Sequence, residues 1–154
     1  MSAMIGHHSQ ALAMAGWAPT NGAGASVRRL AERIVSGQED EIASMQQWLR
    51  ERGRPAPEGW HPDHGHHMPG MLTEAQMKEL SEARGPEFDR LFLTYMIQHH
   101  RGAVAMVKEL FGTPGAAQDE TVFKFANDVG VDQTTEIARM ERMLSALQAG
   151  EPSS

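Results

Sequence analysis

The chain contains one histidine-pair segment twice. Residues Met4–Met14 return as Met96–Met106, and the two copies share the pattern M-I-x-H-H-x-x-A-x-A-M. Four of the eight histidines and four of the eleven methionines lie at matching positions in these copies. Imidazoles inside an apolar helical pattern need partners when they are buried. A fold for this chain must therefore supply partners for two equivalent histidine pairs.

A second block repeats in the same order. Residues Gln38–Leu49 return as Gln133–Leu144, with the shared pattern Q-x-x-E-I-x-x-M-x-x-[WM]-L. Two blocks that recur in order indicate an internal duplication of a two-helix unit. The sequence predicts one domain over residues 1–154, with repeat 1 at 2–52, a His/Met-rich crossover at 53–85 and repeat 2 at 86–148.

Apolar residues recur at three- and four-residue spacing in four long segments, which predicts helices rather than strands. Thr73 and Gln76 form a capping-box pattern, Ser26 is a candidate N-cap, and Pro86 suits a first helical turn. Helices are expected over about 2–16, 26–52, 73–83, 86–111 and 117–148. The predicted fold is all-α, a four-helix bundle of two antiparallel αα-hairpins with a short helix in the long crossover.

Composition excludes several classes of protein. A net charge of −6 and a pI near 5.7 argue against nucleic-acid binding, which needs a basic surface. No apolar run approaches the roughly 18 residues of a transmembrane helix, and no signal-peptide pattern is visible at the N-terminus. Cysteine is absent, which excludes disulfides and thiolate metal ligands.

The doubled histidine pairs are the first candidate metal site. Adjacent residues on a helix point about 100° apart, so one histidine of each pair can face the bundle centre. Imidazole and thioether groups together suit copper. The alternatives are histidines satisfied by protein groups and methionines that fill the core. The candidate ligands are His7, His8, His99, His100, Met4, Met14, Met96 and Met106.

Glu41 and Glu136 interrupt the apolar stripes of two predicted helices. A carboxylate at a core position must be paired or bind a cation. A histidine partner would fix the imidazole tautomer and leave its other nitrogen for a metal, although a purely structural pair is equally consistent with the pattern. The predicted supporting or additional ligands are Gln38, Glu41, Met45, Gln133, Glu136 and Met140.

The crossover offers a separate candidate site within a Pro/Gly-rich loop. Such a tract could bind copper, nickel or zinc, or could be only a polar linker. Its candidate ligands are His61, His64, His66, His67, Met68 and Met71.

The two repeated blocks resemble the DUF305 family over about residues 4–144. The resemblance implies a ferritin-like four-helix fold and a secreted or periplasmic bacterial protein. It further implies copper binding or copper resistance, with the paired histidines and their flanking methionines as the signature positions.

The leading hypothesis is a metal-binding protein that is not an enzyme, with copper held for buffering, chaperoning or resistance. A di-iron oxidase or peroxidase is an alternative, but it needs Glu-x-x-His on helices. This chain has that motif only at Glu58–His61, in the Pro/Gly-rich loop. A metal-free structural or interaction module is a third reading. A homodimer is expected if the short first helix leaves an apolar surface uncovered.

Overall fold

The computed structural model describes residues 1–57, 68–115 and 118–150. These ranges contain five helices and no strand, so the all-α prediction is confirmed. None of the described helices is long and apolar enough to cross a membrane. The helices are α1 (Ser2–Gly16), α2 (Ala25–Glu51), α3 (Glu74–Glu82), α4 (Gly85–Gly112) and α5 (Glu120–Gln148).

The four long helices form two hairpins that meet through α1 and α4. Helix α1 packs mainly on α2, and α4 packs mainly on α5. The backbone N–H of Gly85, at the start of α4, donates to the carbonyl of Asn21, just after α1, at 2.9 Å. Met4, near the start of α1, packs against a cluster that contains Val107, near the end of α4. Helices α1 and α4 therefore run antiparallel at the centre of the molecule.

Most helix ends lie close to their predicted positions, and two differ for local reasons. Ser26 was the wrong N-cap for α2: the helix begins at Ala25, with Gly24 as its cap. Gly24 is held in this position by Asp89, a buried residue of α4, because the Gly24 N–H donates to both carboxylate oxygens of Asp89, each at 3.1 Å. At α5, Asp119 caps the helix through its side chain, so α5 begins at Glu120 and not near 117.

The short helix α3 begins with the predicted capping box. The Thr73 side chain accepts from the Gln76 backbone N–H, and the Gln76 side chain accepts from the Thr73 N–H. Leu80 of this helix is fully buried in the main core with Phe88 and Phe92 of α4. Burial of these apolar side chains fixes the end of the crossover against the bundle.

Residues 68–72, the last part of the crossover, lie across α1 and α4. The buried Gln10 amide donates to the Leu72 carbonyl at 3.1 Å and accepts from the Leu72 N–H at 2.9 Å. A Cβ atom on Gly102 would lie only 1.9 Å from the Pro69 carbonyl oxygen and 2.6 Å from the Gly70 Cα. Only glycine at position 102 permits this close approach of the two backbones.

The large exposed apolar side chains of the described residues are not on α1. They are Phe111, Phe123 and Val131, on α4 and α5. The rings of Phe111 and Phe123 contact each other, with centroids 5.2 Å apart. The sequence suggested that the short first helix would leave apolar side chains exposed as a dimer surface. The large exposed apolar side chains of the described residues lie on α4 and α5 instead.

Candidate metal site

The two histidine pairs meet at the centre of the bundle. His7 on α1 and His99 on α4 have ring centroids 3.9 Å apart, with 34° between the ring planes. All four histidines of the repeated pattern, including His8 and His100, are buried, and none exposes more than 1% of its surface. Sequence reasoning predicted this convergence of equivalent residues, and the structure brings them together.

His7 has a defined tautomer. Its Nε2 lies 2.9 Å from the Pro69 carbonyl oxygen, which can only accept, so Nε2–H is the donor. Burial lowers the pKa of His7 to about 4, against a smaller opposing effect of the Pro69 hydrogen bond. Repulsion from His8 and His100 lowers it further. His7 is therefore neutral at pH 7, with a lone pair on Nδ1.

His99 is the equivalent residue but has no equivalent partner. Neither ring nitrogen of His99 makes a hydrogen bond within the described part of the chain. Burial, followed by repulsion from His7 and His100, lowers the pKa of His99 well below its ordinary value of 6.5. A neutral imidazole with both nitrogens unpaired in the core carries a desolvation cost that a bound ligand would remove.

The outer histidine of each pair contacts a carboxylate on the partner helix of its own hairpin. His8 Nε2 contacts Glu41 Oε2, and His100 Nε2 contacts Glu136 Oε1. Because a carboxylate accepts, each Nε2–H is the donor. The predicted His–carboxylate pairing is therefore present in both repeats, and in a neutral ring it leaves Nδ1 as a lone-pair donor toward a metal.

In three of the four rings the same nitrogen, Nδ1, remains available as a metal ligand. Within residues 1–57, 68–115 and 118–150, the Nδ1 atoms of His7, His8 and His100 have no hydrogen-bond partner. Each of these rings is held through Nε2 by an oxygen acceptor, which is the arrangement found behind histidine metal ligands.

The imidazole nitrogens are suitable metal ligands, but their positions in this structure do not form a metal-binding group. Across the described ranges, no three His, Cys, Asp or Glu side chains converge in a metal-holding group. A metal among these rings would therefore bind two imidazoles, use a methionine sulfur as well, or shift the side chains when it enters.

The predicted methionine ligands are divided between apolar clusters. Met14, Met96 and Met140 are fully buried in the main core. Met45 is fully buried in a second cluster around Ile5. Met4 is half-buried beside that cluster, and Met106 is half-buried on α4. Their role as ligands stays a prediction.

The predicted crossover ligands are only partly described. His61, His64, His66 and His67 lie outside the described residues. Met68 and Met71 are half-buried. The Met68 methyl group lies near α1, 3.7 Å from where a Cβ on Gly6 would stand. This methionine thus covers the helix one residue before His7.

A groove of about 230 Å³ between α2 and α5 leads to the two carboxylates. Glu41 and Glu136 line it and are 16% and 26% exposed. The predicted Gln38 and Gln133 also line it and are buried. Asp132 stands in the same groove, where partial burial and then the charge of Glu41, with smaller effects of Asp128 and Glu136, raise the pKa of Asp132.

Sequence reasoning missed three residues of this region. Gln10 and Gly102 occupy equivalent positions of the repeated pattern, and both contact the crossover. They occupy one of four positions at which the two copies differ, so the sequence alone did not single them out. Asp132 was missed because its counterpart in the first repeat is Gly37, so the repeat gave no pattern to follow.

Comparison with known proteins gives a consistent result. No curated protein matches the chain. A DUF305 fragment from Deinococcus radiodurans is 34% identical, with 92% of this chain and 90% of that chain covered and a TM-score of 0.79. A DUF305 protein from Streptomyces coelicolor, proposed to be secreted, is 29% identical, with 98% and 90% covered and a TM-score of 0.82.

A third similar structure is CopM in its Cu(II)-bound form. It is 31% identical, with 94% of this chain and 92% of that chain covered and a TM-score of 0.74. CopM structures in Cu(I)-bound and Ag-bound forms also match. The model of the family described as a domain of unknown function (DUF305) matches residues 1–144. The chain therefore belongs to the DUF305 family.

Proposed function

We propose that this protein binds copper as cargo, for buffering, chaperoning or resistance, and that it binds without turning over a substrate. The observation that carries the proposal is the buried group of four imidazoles, whose Nδ1 atoms have no partner among the described residues. Burying unpartnered ring nitrogens costs desolvation free energy, which a bound ligand would offset. The 31% identity to CopM, a protein with Cu(I)- and Cu(II)-bound structures, favours copper as that ligand.

The donor set suits copper better than the harder metals. Neutral imidazole binds both oxidation states of copper, and thioether binds Cu(I). The Nε2–H groups of His8 and His100 are held by carboxylates, which fixes the orientation of these rings and leaves their Nδ1 atoms for a metal. Met14 and Met96 lie in the apolar core near the paired histidines in sequence and could supply sulfur.

We also propose that the protein works outside the cytoplasm. The Streptomyces coelicolor relative, proposed to be secreted, supports this location. A site of imidazole and thioether without cysteine would not be lost to disulfide formation in an oxidising compartment. Fractionation of the native cells should place the protein outside the cytoplasm, and recovery in the cytosolic fraction alone would overturn this part of the proposal.

Isothermal titration calorimetry with Cu(II), and with Cu(I) under anaerobic conditions, tests the binding proposal. We expect binding at micromolar protein. The double variant His99→Gln with His100→Gln should lose binding at the helical site. A matched variant in which His61, His64, His66 and His67 are changed to serine keeps that site and separates it from the crossover tract.

Two outcomes would contradict the proposal. One is the absence of copper binding by the unaltered protein at micromolar concentration. The other is an unchanged stoichiometry and affinity in the helical double variant, with circular dichroism confirming that the variant is folded.

A further inference from the structure

We propose that the groove between α2 and α5 is the port through which the metal cation reaches the buried histidines, with Asp132 as its outer attracting group. This inference rests on the proposed function, and it adds a route and a residue to it. Asp132 belongs to neither repeated block, although Gln38, Glu41, Gln133 and Glu136 of the repeated blocks line the groove beside it.

The groove reaches the histidines through their own carboxylate partners. Glu41 and Glu136 line the groove, and each uses one oxygen to hold a histidine ring. Both carboxylates remain partly exposed, whereas His8 and His100 are buried. Among the described residues no histidine lines the groove, so a cation in it meets the carboxylates, which His8 and His100 contact from the buried side through Nε2.

The α1–α4 side of the histidine group is covered by the crossover. His7 Nε2–H donates to the Pro69 carbonyl oxygen at 2.9 Å. Gln10 holds Leu72 by two hydrogen bonds, and Gly102 packs against Pro69 and Gly70. A cation arriving on this side would have to displace these backbone contacts. One arriving between α2 and α5 would have to pass only the side-chain contacts of His8 with Glu41 and of His100 with Glu136.

Charge is divided along the groove. Glu41, Asp132 and Glu136 lie together, close enough for the carboxylates to repel one another. Arg33 and Arg139 also line the groove, but they extend into a neighbouring depression with Ser26, Arg29, Leu30 and Met143. The carboxylate end favours a cation, and the arginine end does not.

A buried amide oxygen is an independent indication of a ligand. Gln38 lines the groove and is only 4% exposed, and its Oε1 has no hydrogen-bond partner in the described ranges. An amide oxygen without a donor is costly in such a position. A cation or its bound water passing between the carboxylates would supply the missing partner.

Gly37 allows the port to be narrowed without disturbing the fold. It lies in α2 and lines the groove, and a Cβ atom there would meet nothing within 4 Å. Gly37→Leu should therefore fold well and place its side chain over the groove, while Gly37→Ala adds similar helix preference with little bulk. Gly112→Leu, at the end of α4, is a second control because a Cβ there also meets nothing within 4 Å.

The test is stopped-flow quenching of tryptophan fluorescence by Cu(II). It is performed on full-length protein carrying His61→Ser, His64→Ser, His66→Ser and His67→Ser, so that only the helical site reports. Gly37→Leu should slow association about tenfold without loss of stoichiometry, because entry then requires a rearrangement. Gly37→Ala and Gly112→Leu should keep the original rate.

The carboxylate part of the port is tested separately. Asp132→Asn should slow association about threefold at low ionic strength, and this difference should vanish in high salt. Glu109→Gln, on the exposed surface of α4 and outside the groove, is the matched control and should keep the original rate.

The outcomes distinguish the port from the proposed function. If the four-serine protein binds Cu(II) and Gly37→Leu binds it as fast as Gly37→Ala, the port is wrong and the copper site stands. If the four-serine protein takes up no Cu(II) at all, the helical copper site fails and the port fails with it.

Discussion

The imidazole rings of His7 and His99 lie against each other, with their centroids 3.9 Å apart. These two residues occupy the same position of the internal repeat, so equivalent residues contact each other across the bundle centre. Contact between equivalent residues is the signature of a twofold relationship. The duplication therefore explains why the chain pairs buried imidazoles. The crossover makes the pair asymmetric, because it places the Pro69 carbonyl against His7.

The stability of the metal-free protein should fall in mildly acidic solution. The pKa of His7 is about 4 in the folded protein and about 6.5 in an unfolded chain. Between these values the unfolded chain binds a proton that the folded protein does not, so stability present above pH 6.5 is lost as the pH falls toward 4. His7 alone accounts for about 3 kcal/mol of this loss. Urea unfolding at a series of pH values measures it.

His7→Gln is the control for this pH dependence. Glutamine can still donate to the Pro69 carbonyl but cannot titrate. The variant should show a shallower fall in unfolding free energy between pH 6.5 and 4. An equally steep fall would mean that other groups cause the acid sensitivity.

Gly102→Ala should destabilise the protein by about 1–3 kcal/mol, because the added methyl group collides with the backbone of Pro69 and Gly70. Gly112→Ala, in the same helix, meets no atom within 4 Å and should be neutral or slightly stabilising. Urea denaturation of both variants gives the difference. Equal free energies of unfolding for the two variants would show that the crossover can move away from α4 without cost.

Gln10→Leu should weaken the attachment of the crossover while keeping the size of the side chain. The variant leaves the buried N–H and carbonyl of Leu72 without their partners, at a cost of about 1–3 kcal/mol. Gln47→Leu, on the exposed face of α2, is the matched substitution. Hydrogen exchange at Leu72 should accelerate in the first variant only, and unaltered protection there would contradict the assigned contact.

Glu136→Gln should lower copper affinity about 10- to 100-fold, because the amide no longer favours the Nε2–H form of His100. Glu41→Gln should act in the same way through His8. Glu39→Gln, on the exposed surface of α2, is the control and should bind copper normally. Competition titration against a chromophoric copper chelator measures these affinities. Equal copper affinities of the three variants would show that the two carboxylates do not support the copper site.

The sequence predicted the features that depend on local or repeated patterns. The capping box of Thr73 and Gln76 was predictable because its groups are three residues apart. The pairing of Glu41 and Glu136 with histidines followed from carboxylates in apolar stripes of matched repeats. Both predictions needed only the helical period and the cost of burying a charge.

The contacts that join distant segments could not be predicted in this way. Pro69 contacts His7, and Asp89 contacts Gly24, across more than 60 residues. The first contact depends on the path of the crossover, and the second on how α4 packs against the turn between α1 and α2. Helical periodicity places a residue on a face but does not say which loop will cross that face. For the same reason, the position of Asp132 was revealed only by the groove that α2 and α5 line together.

The central claim is that copper binds among the four buried imidazoles. The most direct measurement is anomalous diffraction across the copper absorption edge from crystals of this protein grown with copper. The account predicts an anomalous peak inside the bundle, at bonding distance from a ring nitrogen of His8, His100 or the His7–His99 pair. Anomalous peaks found only on the surface, with the four rings unchanged and no density between them, would contradict it.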